Sequence, residues 1–296
     1  MQPLEETLII FQSEWRRTVQ SARIIVLLGL YALFSGTALF LVGALVKKVE
    51  VGINTSLEGA SDLQRTEALD NLRKGALGFL FSGDSSALEV LQRLPIAVLL
   101  VFKITLFFLP LYIALMGFDQ ISGEVAPRSM RYLTVRARRG SILAGKFFGQ
   151  LSVLATVLVI IQLGVTAYAK FTYSSFGWPL AAETFLRLGL ASGVFSISYL
   201  ALSTLCSSLV RSPAVALVLN VFALFGFVLV ESIGAGLHEA NPQGIFGVLR
   251  YFSPSHYSSN LLHPLPAKYL ASGGAFVGFA MVFLGLAYLG FRRRDV

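Results

Sequence analysis

The chain has 296 residues, of which 55% are hydrophobic and only 14% are charged, and its net charge is +8. A soluble domain carries about 25% charged residues, so this composition excludes an ordinary soluble protein and requires long apolar segments in lipid. The basic residues gather near the ends of apolar runs, which indicates membrane topology rather than nucleic-acid binding. The one cysteine, Cys206, excludes an internal disulfide and a Cys-x-x-Cys redox pair.

Residues 1–22 precede the first apolar run and form an element of their own. Leu4, Leu8, Phe11 and Trp15 recur among charged residues at roughly helical spacing. This pattern predicts an amphipathic helix on the cytoplasmic face of the membrane, with the tryptophan at headgroup level. A helix packed against the spans is the alternative. The following apolar run is too long for a signal-peptide core, so we expect it to be retained.

Residues 23–296 contain six apolar runs that are long enough to cross about 30 Å of hydrocarbon as helices. Lipid offers the backbone no hydrogen-bond partner, and the runs lack the alternation of a β-barrel. The sequence therefore predicts an all-α integral membrane protein with six transmembrane helices. The predicted spans are Arg23–Val46, Leu94–Phe118, Leu143–Tyr168, Phe185–Leu209, Pro213–Val230 and Leu270–Phe291.

Arginines concentrate before span one, between spans two and three, and after span six. By the positive-inside rule, these segments and both termini lie in the cytoplasm. Residues 47–93 then form an extracytoplasmic helical insertion, which either covers the pathway or has no role in transport. Apolar residues between Phe246 and Phe252 predict short re-entrant helices before span six.

Among the polar side chains inside predicted spans, Lys103, Gln162 and Asn220 are candidates for a substrate pathway. Such residues are costly in lipid and mark substrate pathways. Snorkelling of the lysine to the headgroups, or hydrogen bonding between helices, explains them equally well. The Gly145-x-x-x-Gly149 and Gly189-x-x-x-Gly193 patterns both allow a close helix contact.

Signatures of catalysis, nucleotide binding and metal binding are weak. The three histidines, His238, His256 and His263, lack the spacing of a helical ligand pair, so we expect no metal site. The segment that ends in Gly145-Lys146 resembles a phosphate-binding loop but has Phe147 where Ser or Thr is required, which argues against nucleotide binding.

No catalytic residue is assigned, because no nucleophile, base and orienting group fall into a recognisable arrangement. Two alternatives to transport stay open. One is a membrane-embedded enzyme that acts on lipid or peptide through His256, His263 or Glu231. The other is a transport-incompetent membrane anchor for an ATPase.

Three segments together resemble the permease subunit of a type-2 ABC exporter. They are the polar loop from Phe118-Asp119 to Lys146, the Ser253-Pro254-Ser255 motif, and the ending from Phe291 to Val296. Residues 126–130 depart from the family, since many relatives have a Gly-Thr pair there. The first outside loop is also longer than in the simplest members.

The resemblance implies a cytoplasmic coupling helix between spans two and three that docks in a groove of a separate ATPase subunit. It assigns coupling to Asp119, Ser122, Glu124, Arg128, Arg131 and Tyr132. Glu124 is expected to pair with a base on that subunit. We expect no cofactor in this chain, because the ATPase would bind ATP and Mg²⁺.

The resemblance also implies a homodimer with two ATPase copies in the bacterial cytoplasmic (inner) membrane. Spans one, two and five would line the pathway. Membrane lipids and accessory extracytoplasmic proteins are further expected partners, and nucleic acid is not. The spans do not specify a substrate.

Overall fold

The computed structural model describes residues 3–56, 71, 75, 94–125, 130–173, 176–240, 245–263 and 265–293. These ranges contain helices and short connections and no β-strand, which confirms the predicted all-α fold. The α-helices are α1 (Pro3–Val19), α2 (Ala22–Ser56), α3 (Ile96–Gly117), α4 (Ser122–Val125), α5 (Met130–Arg136), α6 (Arg139–Thr172), α7 (Trp178–Leu209), α8 (Pro213–Ala240) and α9 (Pro266–Arg292). Three short 3-10 helices precede α9, at Ile245–Phe252, Pro254–Tyr257 and Ser259–Leu262.

Within the described ranges, five helices are long and apolar enough to cross a bilayer, namely α3, α6, α7, α8 and α9. They coincide with predicted spans two to six. The first predicted span, Arg23–Val46, falls inside α2, where the apolar stretch found among the described residues is the shorter Leu28–Leu41.

Several helices extend beyond the predicted spans. Helix α6 begins at Arg139 rather than Leu143, and α8 continues to Ala240 rather than ending at Val230. Hydropathy marks only the part of a helix that lies in hydrocarbon, whereas backbone hydrogen bonds continue into the polar headgroup layer.

Helix α7 is the centre of the bundle. In its most apolar stretch 67% of residues are buried, compared with 11% in α8 at the periphery. Small hydroxyl side chains allow this, because Ser192 and Ser196 donate hydrogen bonds to carbonyls one turn earlier, those of Leu188 and Ser192. The hydroxyls are satisfied within the helix and leave room for α3, α6 and α9 to pack closely.

Consecutive long helices run in opposite directions, and the two ends of the bundle carry different short elements. The α1 end carries α1, α4 and α5, together with the last turns of α3, α7 and α9. The 3-10 end carries the three 3-10 helices, which pack on α8 and α9. Entry of these helices into the membrane as re-entrant segments stays a prediction.

The predicted insertion 47–93 falls mostly outside the described residues. Its first part, residues 47–56, continues α2 as a helix rather than beginning a separate loop. Residues 71 and 75 are helical, and residues 57–70, 72–74 and 76–93 lie outside the description.

Candidate functional site

A buried cluster of charges joins three helices at the α1 end. Lys146 of α6 is only 1% exposed, and its Nζ atom donates a hydrogen bond to Oε1 of Glu124 at 2.8 Å. The same Nζ atom donates to Oε1 of Glu14 on α1. Arg17, one turn further along α1, donates from Nη1 to Oε1 of Glu124 at 2.6 Å. Two carboxylates and two cations therefore form one network, which compensates the buried Lys146, while the Arg17 side chain is itself 68% exposed.

The helix α1 reaches this cluster because α6 presents two glycines to it. A Cβ atom on Gly145 would lie 2.8 Å from Cβ of Ile10, and one on Gly149 would lie 2.9 Å from Cβ of Glu14. Both distances are shorter than carbon atoms tolerate. The Gly145-x-x-x-Gly149 pattern is therefore a close helix contact, and its partner is α1. The Gly189-x-x-x-Gly193 pattern is not one among the described residues, since an added Cβ on either glycine would meet nothing within 4 Å.

Helix α1 is thus packed on a span, and it also presents apolar side chains outward. Leu4, Leu8 and Ile9 are exposed, whereas Ile10 on the opposite side is buried. Both interpretations of the N-terminal segment, packing on the spans and contact with the membrane surface, are compatible with this arrangement.

The turn that carries Glu124 is anchored to α7. The Oγ atom of Ser207 accepts hydrogen bonds from the backbone N–H groups of Ile121 and Ser122, at 3.0 and 3.1 Å. Nearby, the hydroxyl of Thr204 donates to Oε1 of Gln120 at 2.8 Å. These bonds fix residues 120–124 against the central helix of the bundle.

The first turn of α6 is bound to both ends of the chain. Glu6 of α1 accepts a hydrogen bond from the backbone N–H of Arg138 at 3.0 Å, and this bond lowers the pKa of the Glu6 carboxyl. Arg139 donates from its guanidinium to the backbone carbonyl of Phe291 at 3.0 Å, in the last turn of α9. Helices α1, α6 and α9 are therefore tied together at the α1 end.

A polar cleft of about 220 Å³ opens beside the cluster. Asp119, Gln120 and Gln150 line it together with the cluster residues Glu14 and Lys146.

The structure brings three of the six predicted coupling residues together: Asp119, Ser122 and Glu124. Ser122 is fully buried against α7, and Glu124 is 7% exposed and paired within the chain. This placement of Glu124 differs from the expected exposed contact with a base on a partner. The sequence shows that the loop is polar, but not whether the Glu124 carboxylate pairs with a cation of this chain or of a partner.

The other three predicted coupling residues lie further along the loop. Tyr132 is 79% exposed on α5, and Arg131 precedes it in the same helix. Arg128 lies outside the described residues.

The residues predicted for a substrate pathway do not form one site. Lys103 lines a cleft at the 3-10 end. Gln162 borders a separate small cavity with Tyr31 and Ser192. Asn220 is buried in α8 and lines neither space, and its Nδ2 atom has no hydrogen-bond partner among the described residues.

The histidines have local partners at the 3-10 end. His263 accepts a hydrogen bond from the backbone N–H of Leu265 at 3.1 Å, and His256 packs edge-on between Tyr251 and Tyr257. The described residues contain no group of three or more side chains placed to ligate a metal.

Sequence reasoning did not assign Glu14, Arg17, Lys146 or Ser207 to the site. A lysine directly after Gly145 at the start of an apolar helix was the available signal, since such a cation needs carboxylate partners. Its partners lie 132 and 22 residues away, at a distance that spacing rules for a single helix do not cover.

A family model described as ABC-2 family transporter protein matches residues 8–296. No curated protein matches the chain significantly in sequence. The matched range contains the charged cluster, the α4–α5 segment and all the long helices. Proteins of this family are membrane subunits that work with an ABC ATPase subunit and are generally not catalytic themselves. The chain therefore belongs to the ABC-2 family of transporter proteins and is a multi-pass membrane protein.

Proposed function

We propose that this chain is the membrane-spanning subunit of an ATP-driven exporter, and that a separate ATPase drives it from the α1 end. The observation that carries the proposal is the family match over residues 8–296. The ATPase would hold ATP and Mg²⁺, and the present chain would hold the pathway.

In the proposed topology the chain crosses a bacterial inner membrane six times, and both termini lie on the cytoplasmic side. Helix α2 supplies the first span, since its 35 residues extend about 52 Å at 1.5 Å per residue. Residues 1–22 form a separate interface element, and residues 23–296 form the transmembrane domain. The arginines of the α1 end then lie on the cytoplasmic side, where the positive-inside rule places them.

Helix α5 is the proposed docking surface for the ATPase. Tyr132 and Val135 are 79% and 86% exposed, and exposed large side chains of this kind mark protein interfaces. Arg128 and Arg131 add positive charge to the same segment. The buried Glu124 has a different role, because it connects this segment to α1 and α6.

The charged cluster supplies a route for motion into the membrane. Residues 120–124 are bonded to α7 through Ser207 and to α6 through Lys146. A displacement of the α4–α5 segment would therefore move α6 and α7 together, as rigid-body transmission requires. Helix α1 would follow through Glu14 and Arg17.

A homodimer of this chain with two ATPase copies is the proposed assembly. Exposed apolar side chains such as Phe40 of α2 and Phe222 and Leu229 of α8 offer surface for a second copy or for lipid. Accessory extracytoplasmic proteins would act at the 3-10 end.

The experiment isolates the tagged chain from its native membranes and measures ATP hydrolysis by the subunit that accompanies it. We expect an ATP-hydrolysing subunit to co-purify with the wild-type chain, and Tyr132→Ala to reduce its recovery. Glu14→Leu, Lys146→Met and Glu124→Leu combined should keep recovery and fold but uncouple ATP hydrolysis from transport. Replacing buried ions together by apolar side chains is often neutral or stabilising, and the remaining cation, Arg17, is exposed to solvent.

Lys48→Met is the matched control, because Lys48 is exposed on α2. It should preserve both recovery and coupling. A preparation in which no ATP-hydrolysing subunit accompanies the wild-type chain would contradict the proposal, and so would a triple variant with normal coupling.

A further inference from the structure

A cleft of about 400 Å³ opens at the 3-10 end between α3, α7 and α8. This volume lies within the range of small-molecule sites, about 300–1,000 Å³. Its walls include the charged side chains of Lys103 and Glu231 and the hydroxyls of Tyr199 and Ser255. The remaining walls are mainly aromatic and aliphatic, and they include Phe107.

The polar and apolar walls are separated along the helix axes. Helices α3 and α8 run in opposite directions, so Lys103 and Glu231 lie at the same level, near the 3-10 helices. Phe107 and Val228 come next, and Leu111 follows one turn deeper. From Lys103 to Leu111 the distance along α3 is about 12 Å at 1.5 Å per residue. The cleft thus has a polar mouth and an apolar shaft slightly shorter than one leaflet of a hydrocarbon core about 30 Å thick.

The polar mouth carries charges of both signs. Lys103 and Glu231 interact electrostatically, and Glu231 accepts a hydrogen bond from Ser253 at 3.4 Å. The hydroxyls of Tyr199 and Ser255 are hydrogen-bonded to each other at 2.8 Å. A ligand with only negative charge would meet the carboxylate, and one with only positive charge would meet the ammonium. A head group with both charges complements both side chains.

The apolar shaft is open to its surroundings from the side. Phe107 is 76% exposed and Phe225 is 65% exposed, although both line the cleft. In a membrane-spanning bundle such side chains contact the hydrocarbon of the bilayer, so a hydrocarbon chain of a ligand reaches the shaft without crossing water.

From this arrangement we propose that the cleft binds a zwitterionic amphiphile of the phospholipid type. The phosphate lies beside Lys103 and the ammonium beside Glu231. The acyl chain extends along Phe107 and Leu111 towards the middle of the bundle. A second copy of this chain is the less suitable occupant, because an apolar helix face would bring no polar group to the mouth in which Lys103 and Glu231 lie.

Native mass spectrometry of the full-length chain released from nanodiscs tests the proposal. The nanodiscs contain equal amounts of phosphatidylethanolamine, phosphatidylglycerol and a cationic trimethylammonium lipid. We expect retention of phosphatidylethanolamine over the other two. Lys103→Met and Glu231→Gln should each reduce that retention about tenfold, as expected for loss of one charge-assisted hydrogen bond. Equal retention of the three lipids, or unchanged retention in both variants, would overturn the proposal.

Lys268→Met and Glu183→Gln are matched controls. Both residues lie at the 3-10 end, at the starts of α9 and α7, and neither lines the cleft. Each control removes one charge of the same sign as its test variant and should retain the lipid as the wild type does.

A thiol at position 228 shows whether a lipid or a second copy of this chain occupies the cleft. Cys206 is buried, so Val228→Cys adds an accessible thiol at the shaft. A bulky maleimide on it should displace the phospholipid. Complete disulfide-linked dimerisation in membranes, without lipid retention, would show an interface between copies and refute the proposal. These measurements need no ATPase, so their outcome is independent of the coupling experiment.

Discussion

Two lysine–glutamate pairs at opposite ends of the bundle differ in how they are enclosed. At the α1 end, Lys146 is 1% exposed and contacts the carboxylates of Glu14 and Glu124. At the 3-10 end, Lys103 and Glu231 line an open cleft and are only partly buried. The buried lysine at the α1 end fixes helices relative to one another, although a polar cleft opens beside it, whereas the half-buried pair at the 3-10 end is accessible to a ligand. The same two residue types therefore serve architecture at one end and recognition at the other.

Loss of the buried lysine at the α1 end is the strongest test of this difference. Lys146→Met leaves Glu14 without its buried cation and Glu124 with only the exposed Arg17, and we expect destabilisation of about 3 kcal/mol. Lys103→Met, at the half-buried pair, should cost less than about 1 kcal/mol, since water and headgroups reach that site. Thermal unfolding of the purified protein in detergent measures both. Equal shifts in Tm for the two variants would contradict the distinction.

Loss of the hydrogen bonds that hold the turn before α4 against α7 should have the next largest effect on stability. Ser207→Ala removes the acceptor for the backbone N–H groups of Ile121 and Ser122, which should cost about 2 kcal/mol. Ser208→Ala is the control, because that hydroxyl donates only to the carbonyl of Leu205 within α7. Thermal unfolding should show a clear decrease in Tm for the first variant and little change for the second. Lipid retention at the 3-10 end should stay normal in both.

The close contact between α1 and α6 is tested by two alanine substitutions in one helix. Gly145→Ala places a methyl group 2.8 Å from Ile10, and we expect a net cost of about 1–2 kcal/mol despite the better helix propensity of alanine. A Cβ on Gly164 would meet nothing within 4 Å, so Gly164→Ala should be neutral or stabilising by up to about 1 kcal/mol. Urea or thermal unfolding shows whether the two substitutions change the free energy of unfolding in opposite directions. Stabilisation by both alanines would mean that α1 is not packed on Gly145.

The smallest expected effect concerns Glu6 and is visible as a pH dependence. The hydrogen bond from the backbone N–H of Arg138 lowers the pKa of Glu6, so its contribution to stability is present above the ordinary value of 4.5. That contribution is lost as the pH falls through the lowered pKa of the folded state. Glu6→Gln should therefore decrease Tm slightly at pH 7 and not at pH 3. A difference between variant and wild type that is as large at pH 3 would rule out this role of the carboxylate.

The sequence was sufficient for the helices because lipid imposes a severe constraint. An apolar run in hydrocarbon has to be helical, so the positions of α3, α6, α7, α8 and α9 followed from hydropathy alone. The Gly145-x-x-x-Gly149 pattern indicated a close helix contact for a similar reason, since only glycine leaves space for a second backbone.

The sequence was not sufficient for the sites, since both depend on contacts between distant segments. Lys146 is hydrogen-bonded to Glu14, 132 residues away in sequence, and Lys103 interacts electrostatically with Glu231 across a similar separation. No pattern of nearby residues in the sequence therefore indicates either interaction. Lys103 was recognised as unusual for its depth in a span. Its partner was recognised only as a candidate catalytic acid in the alternative hypothesis.

The contact between α1 and Lys146 also bears on how the protein is made. Glu14 leaves the ribosome 132 residues before the lysine that neutralises it, which corresponds to roughly 7–26 s at synthesis rates of about 5–20 residues per second. Until then α1 has no groove to enter, and its outward leucines can rest on the membrane surface. Closure of the charged cluster thus cannot precede synthesis of Lys146, at the start of the third predicted span.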